Sequence, residues 1–386
     1  MDKFGEIYQE ILRNKDNHDA GYYNCIPFTG LDRLEHFIPG IEKGTYYLIT
    51  ANSGIGKSKL ARYLFLHQPF EFVKNNPDSN IKVDILYFTL EESKKKIILS
   101  EVSKYLYTNH NIIASVKDLQ SIGRYNTLSR DIIEKVGEAE EYVNDFLKSI
   151  HLIDNIRNPT GIYKYVRDFA LEIGTYYDKQ GRPFTPDMLM DVKLGKGDTF
   201  KKVDHYKTHH PNHYVIVIVD HISLLDSEKY NDKFLSTMET MELYSKKYCL
   251  HMRDKFGFIP VNVQQQAADQ EKVQYDYRGV SVDKKLEPSL AGLGDSKKIA
   301  RDVNIAFGLF SPDRYSIEKC YGYEINKLKD NFRLLTILKD RDGPSNNKVP
   351  LFFNGAVEFF KELPKPDDAV GITKVYKYLQ EIRNKK

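Results

Sequence analysis

The sequence predicts an α/β protein: a central, mostly parallel sheet flanked by helices, with a β-hairpin near the carboxyl end. Three observations predict it. Short apolar runs alternate with longer amphipathic stretches along most of the chain. The run Tyr214-Val215-Ile216-Val217-Ile218-Val219 is apolar without alternation, the pattern of a strand buried on both faces of a parallel sheet. Leu351–Phe353 and Val357–Phe360 flank Asn354-Gly355, a strong hairpin turn pair.

Taken in order, Phe4, Ile7, Tyr8, Ile11 and Leu12 fall on one face of an amphipathic helix. That face packs either on its own core or on a neighbouring subunit. A polar linker closes this first segment, residues 1–28. The main domain spans 29–363. Its first strand is Tyr46–Ile49 and its second Val83–Thr89. Residues 93–150 read as amphipathic helices, His151–Ile153 as a short strand and Pro159–Tyr177 as a helix. Residues 178–212, rich in Gly, Pro, Lys and His, read as a solvated insertion loop. Tyr214–Asp220 is the central strand, and a helix is expected over 231–256. Phe258–Val263, Val303–Phe310 and Arg333–Leu338 are further strands. Pro364-Lys365-Pro366 breaks the chain before a basic tail, 364–386, helical from Ile372.

With 386 residues the chain is long enough for a substantial core. A net charge of +3 neither demands nor excludes nucleic acid, so any basic footprint is local. Three scattered cysteines form no disulfide framework and no zinc pattern. Neither a signal peptide nor a membrane-spanning run is visible. A soluble protein of a bacterial cytoplasm, or of an infected host's, is expected, with no membrane partner.

The chemistry concentrates after the first strand. Ser53-Gly54-Ile55-Gly56-Lys57-Ser58-Lys59 stands between that strand and an amphipathic helix, the context of a phosphate-binding loop. Gly54 and Gly56 permit the tight turn that points N–H groups inward. The helix start adds partial positive charge. Lys57 suits the β- and γ-phosphates of ATP, and the Ser58 hydroxyl suits Mg²⁺. Ala51 stands where the strict pattern has its first Gly. Asp220, closing the central strand, is placed for the magnesium shell beside Ser58. Glu91 and Glu92 end the second strand, near the ligand crevice of an open sheet. Gln264, Gln265 and Gln266 end another. Lys272, Arg278, Lys284 and Lys285, interleaved with Tyr275 and Tyr277, suit phosphate contacts and base stacking on a single strand.

The order of these pieces resembles the RecA-fold ATPases, and more closely the DnaB-like hexameric replicative helicases, bacteriophage ones included. Five blocks carry the resemblance: Ala51–Ser58; Phe88-Thr89-Leu90-Glu91-Glu92-Ser93; Val219-Asp220-His221-Ile222-Ser223-Leu224; Pro288–Asp302; and Lys339-Asp340-Arg341-Asp342-Gly343-Pro344. It implies an ATP-hydrolysing DNA helicase that works as a homo-oligomeric, hexameric ring on single-stranded DNA, with primase or a loader as further partners. It implies that Glu91, ahead of Glu92, polarises the attacking water and that Asp220 organises Mg²⁺. Gln266, or Gln265 one position away, senses the γ-phosphate. Lys339 and Arg341 reach the neighbouring subunit's nucleotide. Gly294 replaces the family's Arg, and Lys297 is the substitute DNA contact. A recombinase and a KaiC-like regulatory ATPase are the alternatives.

Overall fold

The computed structural model describes residues 3–22, 24–193, 202–230, 232–267, 286–296 and 298–384. Among them a nine-stranded sheet forms the centre. Its strands are β1 (Tyr47–Ala51), β2 (Lys82–Thr89), β3 (Ile150–Ile153), β4 (His213–Asp220), β5 (Ile259–Gln265), β6 (Ile305–Phe310), β7 (Phe332–Asp340), β8 (Lys348–Asn354) and β9 (Phe359–Glu362). Their order across the sheet is β9-β8-β7-β6-β1-β5-β4-β2-β3. The six strands from β3 to β6 run parallel. β7, β8 and β9 continue antiparallel, as a meander.

The continuous apolar runs follow from burial on both faces. In β1, Tyr47 and Ile49 join Leu60, Leu64 and Phe65 of the following helix in one core. Tyr46 and Leu48 face the opposite core with Val215, Val217 and Val219. The hairpin is as expected in place, with a longer turn: Asn354 Oδ1 accepts from the Ala356 amide at 3.2 Å, and Glu358 takes a positive φ of 53°.

Four expectations need correction. The helix from Pro159 ends at Ile173, and Gly174–Tyr177 is a strand paired with His205–Thr208. The segment 178–212 is therefore no purely solvated loop: Phe184 and Tyr206 are buried against the core. The helix expected from 231 begins at Thr237 behind a Ser236 capping box, after a small hairpin of Lys229–Tyr230 and Lys233–Phe234. The basic tail is a docked helix, Ala369–Asn384, with Leu379 buried among Phe332, Leu334 and Phe352.

The amino-terminal helix, Lys3–Asp19, is longer than the apolar stripe that announced it. Its apolar face does not pack on its own core. Phe4 is 73% exposed and Ile11 57%, with Ile7, Tyr8 and Leu12 also open. Its polar side, with Glu10, Arg13, Asn14 and Asn17, borders a cavity of about 880 Å³ above Lys43 and Tyr214. Ile26 and Phe28, just beyond it, belong to the main core.

Candidate active site

Four adjacent parallel strands, β2, β4, β5 and β1, end side by side at one edge of the sheet. Their carboxyl ends deliver Glu91, Asp220, Gln264–Gln266 and the glycine-rich loop to one crevice, the ligand position of open α/β sheets. Thr89 pairs with Asp220 in register, so Glu91 and Asp220 leave neighbouring strands at the same level.

The loop has the conformation its glycines permit. Gly54 and Gly56 have φ of 73° and 108°, and Gly56 is the N-cap of the helix Lys57–Arg62. A Cβ on Gly56 would stand 3.3 Å from the Phe353 ring. Two arginines hold the loop from behind. Arg333, buried and stacked 4.4 Å over Phe353, donates Nε to the Ile55 carbonyl at 2.7 Å. Arg314 donates to the Ser53 carbonyl. With those carbonyls engaged, the N–H groups remain for an anion at a helix start. Lys57 is 7% exposed at the first helical turn. Lys59 instead turns to the Gly355 carbonyl in the hairpin, which fastens the two elements and takes its ammonium out of the phosphate set.

Ser58 and Asp220 come together: Ser58 Oγ donates to Asp220 Oδ1 at 2.9 Å. A hydroxyl and a carboxylate facing each other across a phosphate loop are the hard oxygen donors that suit Mg²⁺, which commonly takes few protein ligands plus substrate phosphates. The residues present therefore fit that ion. Tyr87 donates its hydroxyl to Asp220 Oδ2 at 2.8 Å, so both carboxylate oxygens have a donor.

The two glutamates are separated by their partners. Glu92 accepts from Arg62 Nη1 at 2.7 Å. Glu91 is 55% exposed in its side chain, and Glu91 Oε2 lies 3.6 Å from Nε2 of His221, which follows Asp220 through a cis peptide bond. Burial, then the Lys57 charge, lowers the His221 pKa from its ordinary value, so the neutral imidazole is favoured beside Glu91. Gln266 is buried and donates Nε2 to Thr50 Oγ1 at 2.9 Å and to the Ser289 carbonyl at 3.1 Å. It ties β1 to Ser289, in the described stretch 286–296. Gln265 pairs with Ala51, which belongs to the core on the side of the Lys57 helix.

Lys339 and Arg341 lie elsewhere. Lys339 pairs with Ala306 and Asp340 with Ile305, whose neighbour is Tyr47 at the start of β1. The two cations thus sit at the opposite edge of the sheet from their own phosphate loop. Lys339 Nζ donates to the Ala300 and Val303 carbonyls at 2.7 Å each, and Arg341 Nη2 to Arg301 O at 2.6 Å. Both cap the carboxyl end of the short helix Ile299–Asp302, where cations are favoured. Both side chains are thus bonded within their own chain, where the resemblance implies a reach to a neighbour's nucleotide. Lys272, Arg278, Lys284, Lys285 and Lys297 lie outside the described residues.

Sequence reasoning missed Tyr87, Arg62 and Glu358, which back the site, and the hairpin at Lys229–Phe234. The hairpin had a signal in Asp232, a turn-forming residue that takes a φ of 63°. Phe234 is 72% exposed, and Lys247 lies 4.7 Å over the Tyr230 ring.

No family model matches this sequence, and no curated protein sequence does. Solved structures do match the fold. The ATPase domain of G40P aligns with a TM-score of 0.64 at 20% identity, covering 94% of this chain and 100% of that one. A DnaB-like replicative helicase, described with its interactions with primase, aligns with a TM-score of 0.61 at 20% identity, covering 93% of this chain and 67% of that one. A likeness at this identity speaks for architecture alone: the chain shares the fold of the G40P ATPase domain and of the matching part of that DnaB-like helicase.

Proposed function

We propose that this chain is an ATP-driven helicase subunit that assembles head to tail into a ring and translocates on single-stranded DNA. The observation that carries the reading is the division of the charged groups between two sheet edges. The phosphate loop, Ser58, Asp220 and Glu91 share one edge, and Lys339 and Arg341 share the other. Four residues of strand separate the two levels by roughly 13 Å, with two strands of lateral offset besides. Arg341 cannot serve its own chain's nucleotide across that span, whereas a neighbour stacked against the far edge can receive it.

Within one site, the loop N–H groups and Lys57 hold the triphosphate of ATP. Ser58 and Asp220 would hold Mg²⁺, which would supply charge neutralisation to the triphosphate. Glu91 orients and polarises the attacking water. Gln266 reports the γ-phosphate to the 268–285 segment through Ser289. The neighbour's Arg341, released from the Arg301 carbonyl, stabilises the transition-state charge. Lys339, held by several carbonyls, sets the position of the turn. The exposed amino-terminal helix covers a neighbouring subunit, in agreement with its solvent-facing apolar stripe. Lys272, Arg278, Lys284, Lys285 and Lys297 are assigned to DNA contact from their sequence alone, and the hairpin at Lys229–Phe234, with Phe234 72% exposed, is a further candidate contact. Primase or a loader would be a further partner.

The test is ATP turnover with and without oligo-dT across a salt series. Turnover should rise with the oligonucleotide, and its affinity should fall steeply with log salt. Turnover indifferent to DNA at every salt concentration removes the helicase reading.

A further inference from the structure

We infer that Tyr87, oriented by Arg62, is a positioning residue for the metal-organising carboxylate of Asp220, and that the same arginine withdraws Glu92 from catalysis so that Glu91 alone serves the water. The inference rests on the function proposed above and concerns this chain's own side chains.

The contacts form one continuous buried path. Arg62 is 1% exposed, Tyr87 0%, Asp220 4% and Glu358 4%. Arg62 Nε and Nη2 make a two-pronged bond to Glu358 at 2.8 and 2.5 Å. Its remaining Nη1 donates to Glu92 Oε2 at 2.7 Å and to Tyr87 Oη at 3.2 Å. Tyr87 Oη then donates to Asp220 Oδ2 at 2.8 Å, and Ser58 Oγ to Oδ1 at 2.9 Å.

The hydroxyl arithmetic fixes the direction. A guanidinium can only donate, so Arg62 occupies a lone pair of the Tyr87 oxygen. The single phenolic proton is then committed to Asp220. That bond locks the carboxylate rotamer and leaves Oδ1, beside Ser58, as the oxygen facing the metal position. A donor chain ending on a carboxylate is the arrangement by which outer partners orient a metal ligand.

Arg62 lies on the helix that begins at Lys57, and Glu358 lies in the β8–β9 turn. The planar fork is needed because three groups are served at once. A lysine keeps the charge and loses that reach.

The experiment measures binding of a non-hydrolysable ATP analogue by calorimetry, in saturating Mg²⁺ and in EDTA, for the full chain. In Tyr87→Phe the ring stays and only the hydroxyl goes. The Mg²⁺-dependent gain in affinity should fall about tenfold, the scale of one hydrogen bond to a charged group. Affinity in EDTA should stay within about twofold of wild type on the same argument. Arg62→Lys should reproduce the metal defect with the melting temperature as the folding control. Equal losses in both buffers mark a general loosening of the loop and overturn the positioning role. So does a Tyr87→Phe protein with the wild-type Mg²⁺ gain. A wild-type chain that binds no analogue in either buffer overturns the nucleotide reading itself, and that outcome is distinct from the other two.

Discussion

Glu91 and Glu92 are adjacent in sequence and chemically identical, yet their surroundings assign them different work. Glu92 is an ion-pair partner of a buried arginine, while Glu91 stands half open beside a His221 imidazole favoured neutral. Glu91→Gln should lower ATP turnover by about 10²–10⁴-fold, the scale of a positioned base, while nucleotide binding persists. Glu92→Gln should cost far less turnover and more thermal stability. A reversed ranking in steady-state assays would exchange their roles. Glu358 yields a second expectation. Burial alone would raise its carboxyl, and the Arg62 guanidinium more than reverses this, holding the pKa at about 2. The folded-state value is depressed, so its stabilisation is complete above the ordinary value of 4.5 and drains away as pH falls toward 2. Glu358→Gln should flatten that part of the stability curve. It should also cost about 3 kcal/mol at neutral pH, because Arg62 is left buried without its main partner. Urea melts across pH check both, and an unchanged acid slope would contradict the account.

Among the elements, the tail helix Ala369–Asn384 is part of the folded body. Leu379→Ala removes a side chain buried to 1% exposure and should cost about 3 kcal/mol, read as a lower urea midpoint at unchanged slope. No loss would mean that the helix is only resting on the surface. How far each element was legible follows from the range of the forces that fix it. β4 could be read because burial on both faces leaves an unbroken apolar record from Tyr214 to Val219, and β1, β2 and β5 because they are short, mostly apolar runs with few polar interruptions. The glycine-rich loop could be read because its backbone demands particular residues at fixed spacing. The strand His205–Thr208 could not: it is four residues with one buried side chain, and it exists by pairing with Gly174–Tyr177 some thirty positions away. The path from Arg62 to Glu358 joins residues 296 apart, and no local pattern announces it. The amino-terminal helix was legible as a helix, but periodicity cannot say which body its stripe meets. Lys339 and Arg341 were legible as a cationic pair; that they rest on the Ala300–Val303 carbonyls is a tertiary fact.

At the scale of the whole molecule, the proposed function gives one chain two incomplete halves of a reaction centre. One sheet edge offers the glycine-rich loop with Ser58 and Asp220. The other offers Arg341, and the amino-terminal helix turns an apolar stripe to solvent. Both features are satisfied by the same arrangement, a head-to-tail series of copies, which closes as a ring when the rotation permits. The turnover of mixed subunits tests this directly. Lys57→Ala spoils a chain's own loop and keeps its Arg341; Arg341→Ala does the opposite. Each variant alone should be nearly inactive, and mixing them should restore turnover, because some interfaces then join an intact loop to an intact arginine. A mixture that never exceeds the sum of its two components, at any ratio, would mean that the nucleotide site is completed within one chain, and the proposed assembly would be wrong.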